Sequence, residues 1–98
     1  MPLSSKQARQ LRAMAHALKP VVLVGDKGVT PEVIAKVGDE LENHELIKVR
    51  VAADRDEVKA AGVTLCQATG AELAGSVGKV LMLYRRRREG KPTIRLDD

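Results

Sequence analysis

The feature that most constrains the fold of this chain is a short glycine loop between an apolar segment and a helix start. Residues 21–24 (VVLV) are four apolar residues that end at Gly25, which predicts a buried strand. Residues 30–32 (TPE) predict a helix start, because threonine caps helices, proline suits the first turn and glutamate complements the positive helix end. The residues between them, Gly25, Asp26, Lys27 and Gly28, therefore form a strand-to-helix loop.

This glycine loop has two interpretations. In the functional one, the glycines let backbone amides approach a phosphate group while Lys27 supplies a positive charge at the tip. In the structural one, the loop is a tight turn with an exposed lysine. The motif alone does not decide between them, and the rest of the chain favours the functional interpretation.

The basic residues are concentrated towards the two ends of the sequence. The net charge is +4, with +4 in residues 1–20, −4 in residues 21–78 and +6 in residues 79–95. A surface adapted only for solubility mixes the two signs, so this separation indicates a face for a polyanion. To that face we assign, besides the loop, Lys6, Arg9, Arg12, Lys19, Lys48, Arg85, Arg86, Arg87 and Arg88.

The near absence of aromatic rings limits the kind of polyanion. Tyr84 is the only aromatic residue, and there is no Phe or Trp. Proteins that bind single strands rely on aromatic side chains, which contribute about 1–3 kcal/mol per stacked base. The sheet of an RNA recognition motif depends on such rings as well. We therefore expect contact with the backbone and shape of structured RNA rather than with splayed bases.

Hydrophobic periodicity predicts the element order α-β-α-β-α-β-β and hence an α+β sandwich with a mixed sheet. Predicted helices cover about residues 5–17, 31–43 and 54–69, and predicted strands cover residues 21–24, 46–52, 73–77 and 80–84. Because strand–helix–strand crossovers are right-handed, the second and third helices share one face of the sheet. Residues 86–98 are expected to form a basic and flexible tail, with a strand at residues 93–96 as the alternative.

The sequence lacks the residue patterns of disulfide bonds, zinc sites and membrane spans. The single cysteine, Cys66, excludes an internal disulfide, and with only two histidines a structural zinc site is not expected. His44 and Glu45 begin a zinc-protease motif, but Lys48 stands where the second histidine is required. No apolar run approaches a membrane span of about 20 residues. We expect a single, cytoplasmic, non-enzymatic domain over residues 1–98, without cofactor or metal.

Three segments taken together resemble the CRM domain, the chloroplast RNA splicing and ribosome maturation module. They are residues 18–31 (LKPVVLVGDKGVTP), residues 44–49 (HELIKV) and residues 78–85 (GKVLMLYR). The chain is most similar to the small stand-alone bacterial members, the YhbY group. The resemblance implies the fold of the carboxy-terminal domain of translation initiation factor 3, in which the last strand lies inside a mixed four-stranded sheet. It also implies RNA binding, with bacterial members associated with precursors of the large ribosomal subunit.

Three hypotheses about function follow. The leading one is a monomeric RNA-binding protein of large-subunit maturation that grips structured ribosomal RNA through the glycine loop and the flanking basic residues. The alternative is a protein adaptor whose acidic second and third helices dock a basic ribosomal protein or assembly factor. The third is a nucleotide-handling enzyme that uses the glycine loop. Asp26 is unfavourable in a phosphate-binding loop, because its negative charge repels phosphate unless it caps the loop or pairs with Lys27.

Overall fold

A computed structural model of the chain describes residues 2–97 and contains three helices and one four-stranded sheet. The helices are α1 (Ser5–Ala15), α2 (Pro31–His44) and α3 (Arg55–Thr69), and the strands are β1 (Pro20–Val24), β2 (Leu46–Val51), β3 (Glu72–Val77) and β4 (Val80–Tyr84). The predicted α+β class and the predicted element order are confirmed. Each predicted boundary lies within about two residues of the observed one, which is the usual uncertainty of helix and strand ends.

Each helix begins at the capping residue that the sequence provides. The Ser4 hydroxyl accepts a hydrogen bond from the Gln7 amide at 3.0 Å, and the Gln7 side chain accepts one from the Ser4 amide at 3.1 Å. At α2 and α3 the side chains of Thr30 and Asp54 cap the helix by accepting from the amides of Val33 and Glu57. Gly70 ends α3 in the left-handed conformation, with φ at 77°. These local contacts fix where each helix meets the neighbouring strand.

The sheet has the strand order β1-β2-β4-β3. β1 is parallel to β2, and β4 is antiparallel to both β2 and β3. The last strand in sequence therefore lies inside the sheet, as the family resemblance implied. Its residues from Leu81 to Tyr84 are all buried, which explains why this strand is apolar on both faces.

Two apolar cores lie on opposite faces of the sheet. In the larger core, α2 and α3 pack on inward-facing strand residues such as Ile47 and Leu83. In the smaller core, Leu11 and Ala15 of α1 pack on Met82 together with other residues of that face. The predicted placement of α2 and α3 on one face is confirmed. Among residues 2–97, no helix is long and apolar enough to cross a bilayer.

Candidate nucleic-acid interface

The glycine loop is a tight turn with its two polar residues at the tip. The Gly28 amide donates a hydrogen bond to the Gly25 carbonyl at 2.9 Å, and both Asp26 and Lys27 are exposed. Gly28 has a φ of 74°, a conformation that side chains with a β-carbon rarely adopt. Gly25, by contrast, has no positive φ, and a β-carbon there would meet no atom within 4 Å, so the structure itself does not require a glycine at this position.

The start of α2 has fewer donors for an anion than its position suggests. Pro31 has no amide hydrogen, and the Val33 amide donates to the Thr30 hydroxyl at 3.2 Å. Among the first three helical positions, the amide of Glu32 is the one left for a ligand, and Glu32 itself carries a negative charge. The groups that this loop could offer to a phosphate are therefore mainly Lys27 and the backbone of residues 25–28.

The glycine loop and the arginine run at residues 85–88 lie at opposite ends of the sheet. The loop follows Val24, which is in register with Val51 at the end of β2. The arginine run follows Tyr84, which is in register with Leu46 at the start of β2. The six residues of β2 span about 17 Å at roughly 3.3 Å per residue. The two groups of predicted site residues therefore cannot contact the same phosphate.

Arg85 has a structural role at its end of the sheet. Its side chain is only 11% exposed, and its guanidinium donates to the carbonyl groups of Thr69 at 2.9 Å and Gly38 at 3.3 Å. It also forms a salt bridge with Glu42 at 3.4 Å. Thr69 is the last residue of α3, so the guanidinium satisfies carbonyl groups that a helix end leaves without partners. The hydrogen bonds of the Arg85 guanidinium therefore join α2 to α3.

The other arginines of the run are engaged to different degrees. The Arg87 guanidinium donates to the Asn43 carbonyl at 2.9 Å, and the Arg88 guanidinium donates to the Thr69 carbonyl at 3.2 Å. Arg86 is exposed and extends from the same segment. Of the four predicted arginines, Arg86 is thus the one whose side chain is most accessible to a ligand.

The segment after β4 is attached to the body of the domain at several points, one of which is the buried carboxylate of Glu45. Its two oxygens accept hydrogen bonds from the amides of Arg87, Thr93 and Ile94 and from the Thr93 hydroxyl. Although burial alone would raise the pKa of Glu45, these hydrogen bonds lower it to about 2. Residues 86–97, for which the sequence predicted a flexible tail, follow a defined path through these bonds, and residues 93–96 form no strand.

We expect Glu45→Gln to loosen this segment and to lower the free energy of unfolding by about 2 kcal/mol. The carboxylate of Glu45 has two acceptor oxygens for these donors, whereas the side-chain amide of glutamine has only one. The lowered pKa adds a pH dependence. The stability due to Glu45 is complete above the ordinary value of 4.5 and is lost as the pH falls towards 2. Chemical denaturation and amide hydrogen exchange at Thr93 and Ile94 measure both effects. The exposed Glu89→Gln is the control, and equal protection in the two variants would contradict the assignment.

The acidic helix surface that the adaptor hypothesis needs is partly occupied by contacts within the chain. Glu42 accepts hydrogen bonds from the amides of Arg88 and Glu89, which lower the pKa of its carboxyl group. Glu40 lies 3.3 Å from the His44 imidazole on the same helix. These contacts reduce the negative charge that α2 can offer to a basic partner.

The predicted basic residues of the first half of the chain are distributed over α1 and the adjoining strands. Lys6 and Arg9 are exposed on α1, and Lys19 is exposed just before β1. The Arg12 guanidinium donates to the Ala74 carbonyl at 2.9 Å, and the Lys48 ammonium donates to the Leu18 carbonyl at 3.0 Å. Arg12 and Lys48 thereby lie on the same face of the sheet, next to the end of α1.

Two further cations, Arg50 and Lys79, lie at the end of the sheet that carries the glycine loop. Arg50 is exposed on the same face as Lys48, in register with Leu23. The Lys79 carbonyl accepts a hydrogen bond from the Val51 amide at 2.8 Å, which fixes the β3–β4 turn beside the end of β2. The alternation in β2 indicates the side of Arg50. The position of Lys79 follows only from the pairing of β2 with β4, and the sequence alone does not predict that pairing.

Comparison with known proteins identifies the family. Residues 3–85 match the CRS1 / YhbY (CRM) domain. The chain belongs to this family. The CRM domain described here is 39% identical over 87 residues to a probable RNA-binding protein of Pseudomonas aeruginosa, with 88% of this chain and 84% of that protein covered. It is 41% identical over 90 residues to an RNA-binding protein of Haemophilus influenzae, with 91% of each covered.

A solved structure shares the fold of this CRM domain. The solution structure of a Staphylococcus aureus protein, described as a candidate RNA-binding protein, superposes with a TM-score of 0.84 at 38% sequence identity. The superposition covers 97% of this chain and 99% of that one. The match to the family spans the glycine loop and the whole sheet but ends at Arg85, so Arg86 to Arg88 lie outside it.

Proposed function

We propose that this chain binds structured RNA, and specifically ribosomal RNA during maturation of the large ribosomal subunit, as a monomer in the cytoplasm. The observation that carries the proposal is the group of cations around the glycine loop. Lys27 is exposed at the tip of the loop, and Arg50 and Lys79 are exposed at the same end of the sheet. Relatives that match most of this chain are named RNA-binding proteins, which supports the RNA-binding part of the proposal.

The loop binds the RNA backbone rather than base edges. Gly25 and Gly28 present a stretch of backbone with open space where a side chain would lie, so a phosphate group can approach the backbone of the loop closely. Lys27 adds one charge–charge contact, and Asp26 beside it opposes part of that attraction. The loop therefore gives modest affinity by itself and fixes the position of the RNA on the protein.

The remaining basic residues supply attraction over a wider surface. Lys6, Arg9, Arg12, Lys19 and Lys48 lie on α1 and on the strands it adjoins, and Arg86 extends the positive potential at the opposite end of the sheet. Each phosphate that such cations neutralise releases counterions, which favours binding without selecting a sequence. Arg85, Arg87 and Arg88 act mainly by holding the chain after β4 in place.

We expect Gly28→Asp to weaken binding to a structured large-subunit RNA fragment about tenfold or more, and Lys27→Ala to weaken it about threefold. The aspartate introduces both an unfavourable φ and a negative charge where the phosphate meets the backbone, whereas Lys27→Ala removes one of several attractive charges. Titration of each folded variant against the same RNA gives the comparison.

Gly90→Asp is the matched control, because Gly90 also has a positive φ, of 84°, but lies in the segment after β4. The same substitution there should change affinity less than twofold. If Gly28→Asp binds as tightly as the parent while Arg86→Ala abolishes binding, the loop is only a turn and the arginine run is the RNA site. Crosslinking in cells, followed by sequencing of the attached RNA, is expected to recover precursors of the large-subunit RNA.

A further inference from the structure

The sheet face on which α1 lies is only partly covered. At the end nearest the glycine loop, the strand register places one residue of each strand in a row across this face: Leu23, Arg50, Val80 and Val77. Leu23 is 61% exposed and Val77 is 70% exposed, although both are aliphatic. An exposed apolar surface bordered by charged residues marks an interaction site more often than an isolated exposed side chain does.

A cavity of about 370 Å³ lies between this row and the end of α1. The floor is formed by aliphatic side chains of the strands, and the rim carries Arg12, His16 and Lys48. Among the described residues that line this cavity, none is acidic. The volume lies in the range of small-molecule sites, and the charge of the rim favours an anionic ligand.

The two cations of the rim are held in position by the protein itself. The Arg12 side chain lies so closely over Gly75 that a β-carbon there would be 2.5 Å from its Cδ. One Arg12 nitrogen donates to the Ala74 carbonyl, and the Lys48 ammonium donates to the Leu18 carbonyl. Guanidinium and ammonium groups have five and three N–H donors respectively, so both retain donors for a ligand. Groups that are fixed beforehand lose less freedom when a ligand binds.

The rim also carries two planar groups, the imidazole of His16 and the guanidinium of Arg12. Tyr84 is only 6% exposed and packs in the smaller core, so its ring is not available to a base. His16 is exposed at the end of α1, and the Arg12 guanidinium is planar. Unstacked RNA bases lie on histidine rings and on arginine planes as well as on larger aromatic rings. The cavity therefore combines an apolar floor, stacking groups and phosphate donors.

We propose that this cavity binds one unpaired nucleotide of the RNA whose backbone is held at the glycine loop. The base lies on the aliphatic floor beside His16, and its phosphate contacts Arg12 and Lys48. Arg50 lies between Val80 of the floor and Leu23 near the loop, so it contacts the backbone that connects the two sites. The inference rests on the proposed RNA-binding function and adds to it a preference for structured RNA that carries an unpaired nucleotide.

The test compares two RNA hairpins with the same paired stem, one fully paired and one carrying a single additional, bulged nucleotide. We expect the parent protein to prefer the bulged hairpin about fivefold, as measured by fluorescence anisotropy, because one base gains a stacking surface. His16→Ala should reduce this preference below about twofold. Arg12→Lys should reduce it as well, because lysine keeps the charge but lacks the forked guanidinium that fits the phosphate of the unpaired nucleotide.

His44→Ala is the matched control, since His44 also lies at the end of a helix but does not line this cavity. It should leave the preference unchanged. Equal affinity of the parent for both hairpins, or equal effects of His16→Ala and His44→Ala, would overturn the nucleotide site while leaving the proposed RNA binding intact. Failure of the parent to bind either hairpin would overturn the proposed function and the nucleotide site together.

Discussion

Leu83→Ala is expected to lower the free energy of unfolding by about 2–5 kcal/mol, the usual cost of emptying a fully buried leucine site. Leu83 is 0% exposed and lies in the interior strand β4, where it is in register with the buried Ile47 of β2. Both residues face the core beneath α2 and α3. Close packing prevents the surrounding residues from filling the space, so Ile47→Ala should have a similar cost. Chemical denaturation followed by circular dichroism measures both.

Substitutions at two exposed positions are the controls for this loss of stability. Leu23→Ala removes the same side chain from a position that is 61% exposed, and Lys27→Ala removes the loop lysine. Each should change the free energy of unfolding by no more than about 0.5 kcal/mol. If Lys27→Ala unfolded the domain, the lysine would have a structural role and its assignment to RNA would be wrong.

Affinity for structured RNA is expected to fall about 60-fold to 1,000-fold when the salt concentration rises from about 50 to about 200 mM. This range corresponds to neutralisation of about four to six phosphates and a log–log slope of roughly −3 to −5. The exposed cations at the glycine-loop end of the sheet and on α1 are numerous enough to contact about four to six phosphates. Titrations of one RNA at several salt concentrations give the slope directly, and a slope near zero would rule out backbone contacts as the main source of affinity.

Single substitutions show which cations contribute to that slope. Arg50→Ala, next to the glycine loop, should weaken binding across RNA sequences and reduce the slope by about one. Arg86→Ala removes the same charge at the opposite end of the sheet and should have a smaller effect. If the order were reversed, the bound RNA would lie mainly along the arginine run.

The elements of this fold are predictable because their signals are local. Ser4, Thr30 and Asp54 each act within three residues of their own position, which is why the helix starts agree with the sequence. The alternation of β2 likewise predicts that Ile47 and Val49 are buried while Arg50 is exposed. The glycine loop was found because an apolar strand and a capped helix delimit it.

The parts that the sequence did not reveal depend on contacts between distant residues. Glu45 holds Thr93, which lies 48 positions further along the chain, and nothing in the local pattern around either residue indicates this. From the sequence, Arg85 is expected to lie on the surface as part of a basic run. In the structure its guanidinium donates a hydrogen bond to the Gly38 carbonyl, 47 positions away. The cavity beside α1 also depends on strand register and on where α1 ends, so the sequence around His16 does not indicate that this residue lies at a cavity.

The position of β4 in the middle of the sheet determines when the domain can form during synthesis. Translation produces β1, β2 and β3 before β4, yet β2 and β3 are joined only through β4. Until about residue 84 has emerged from the ribosome, the nascent chain therefore has no continuous sheet on which its helices can pack. Glu45 then captures residues that are made later still. We therefore expect folding of this domain to be a late event, for which nearly the whole chain has to be present.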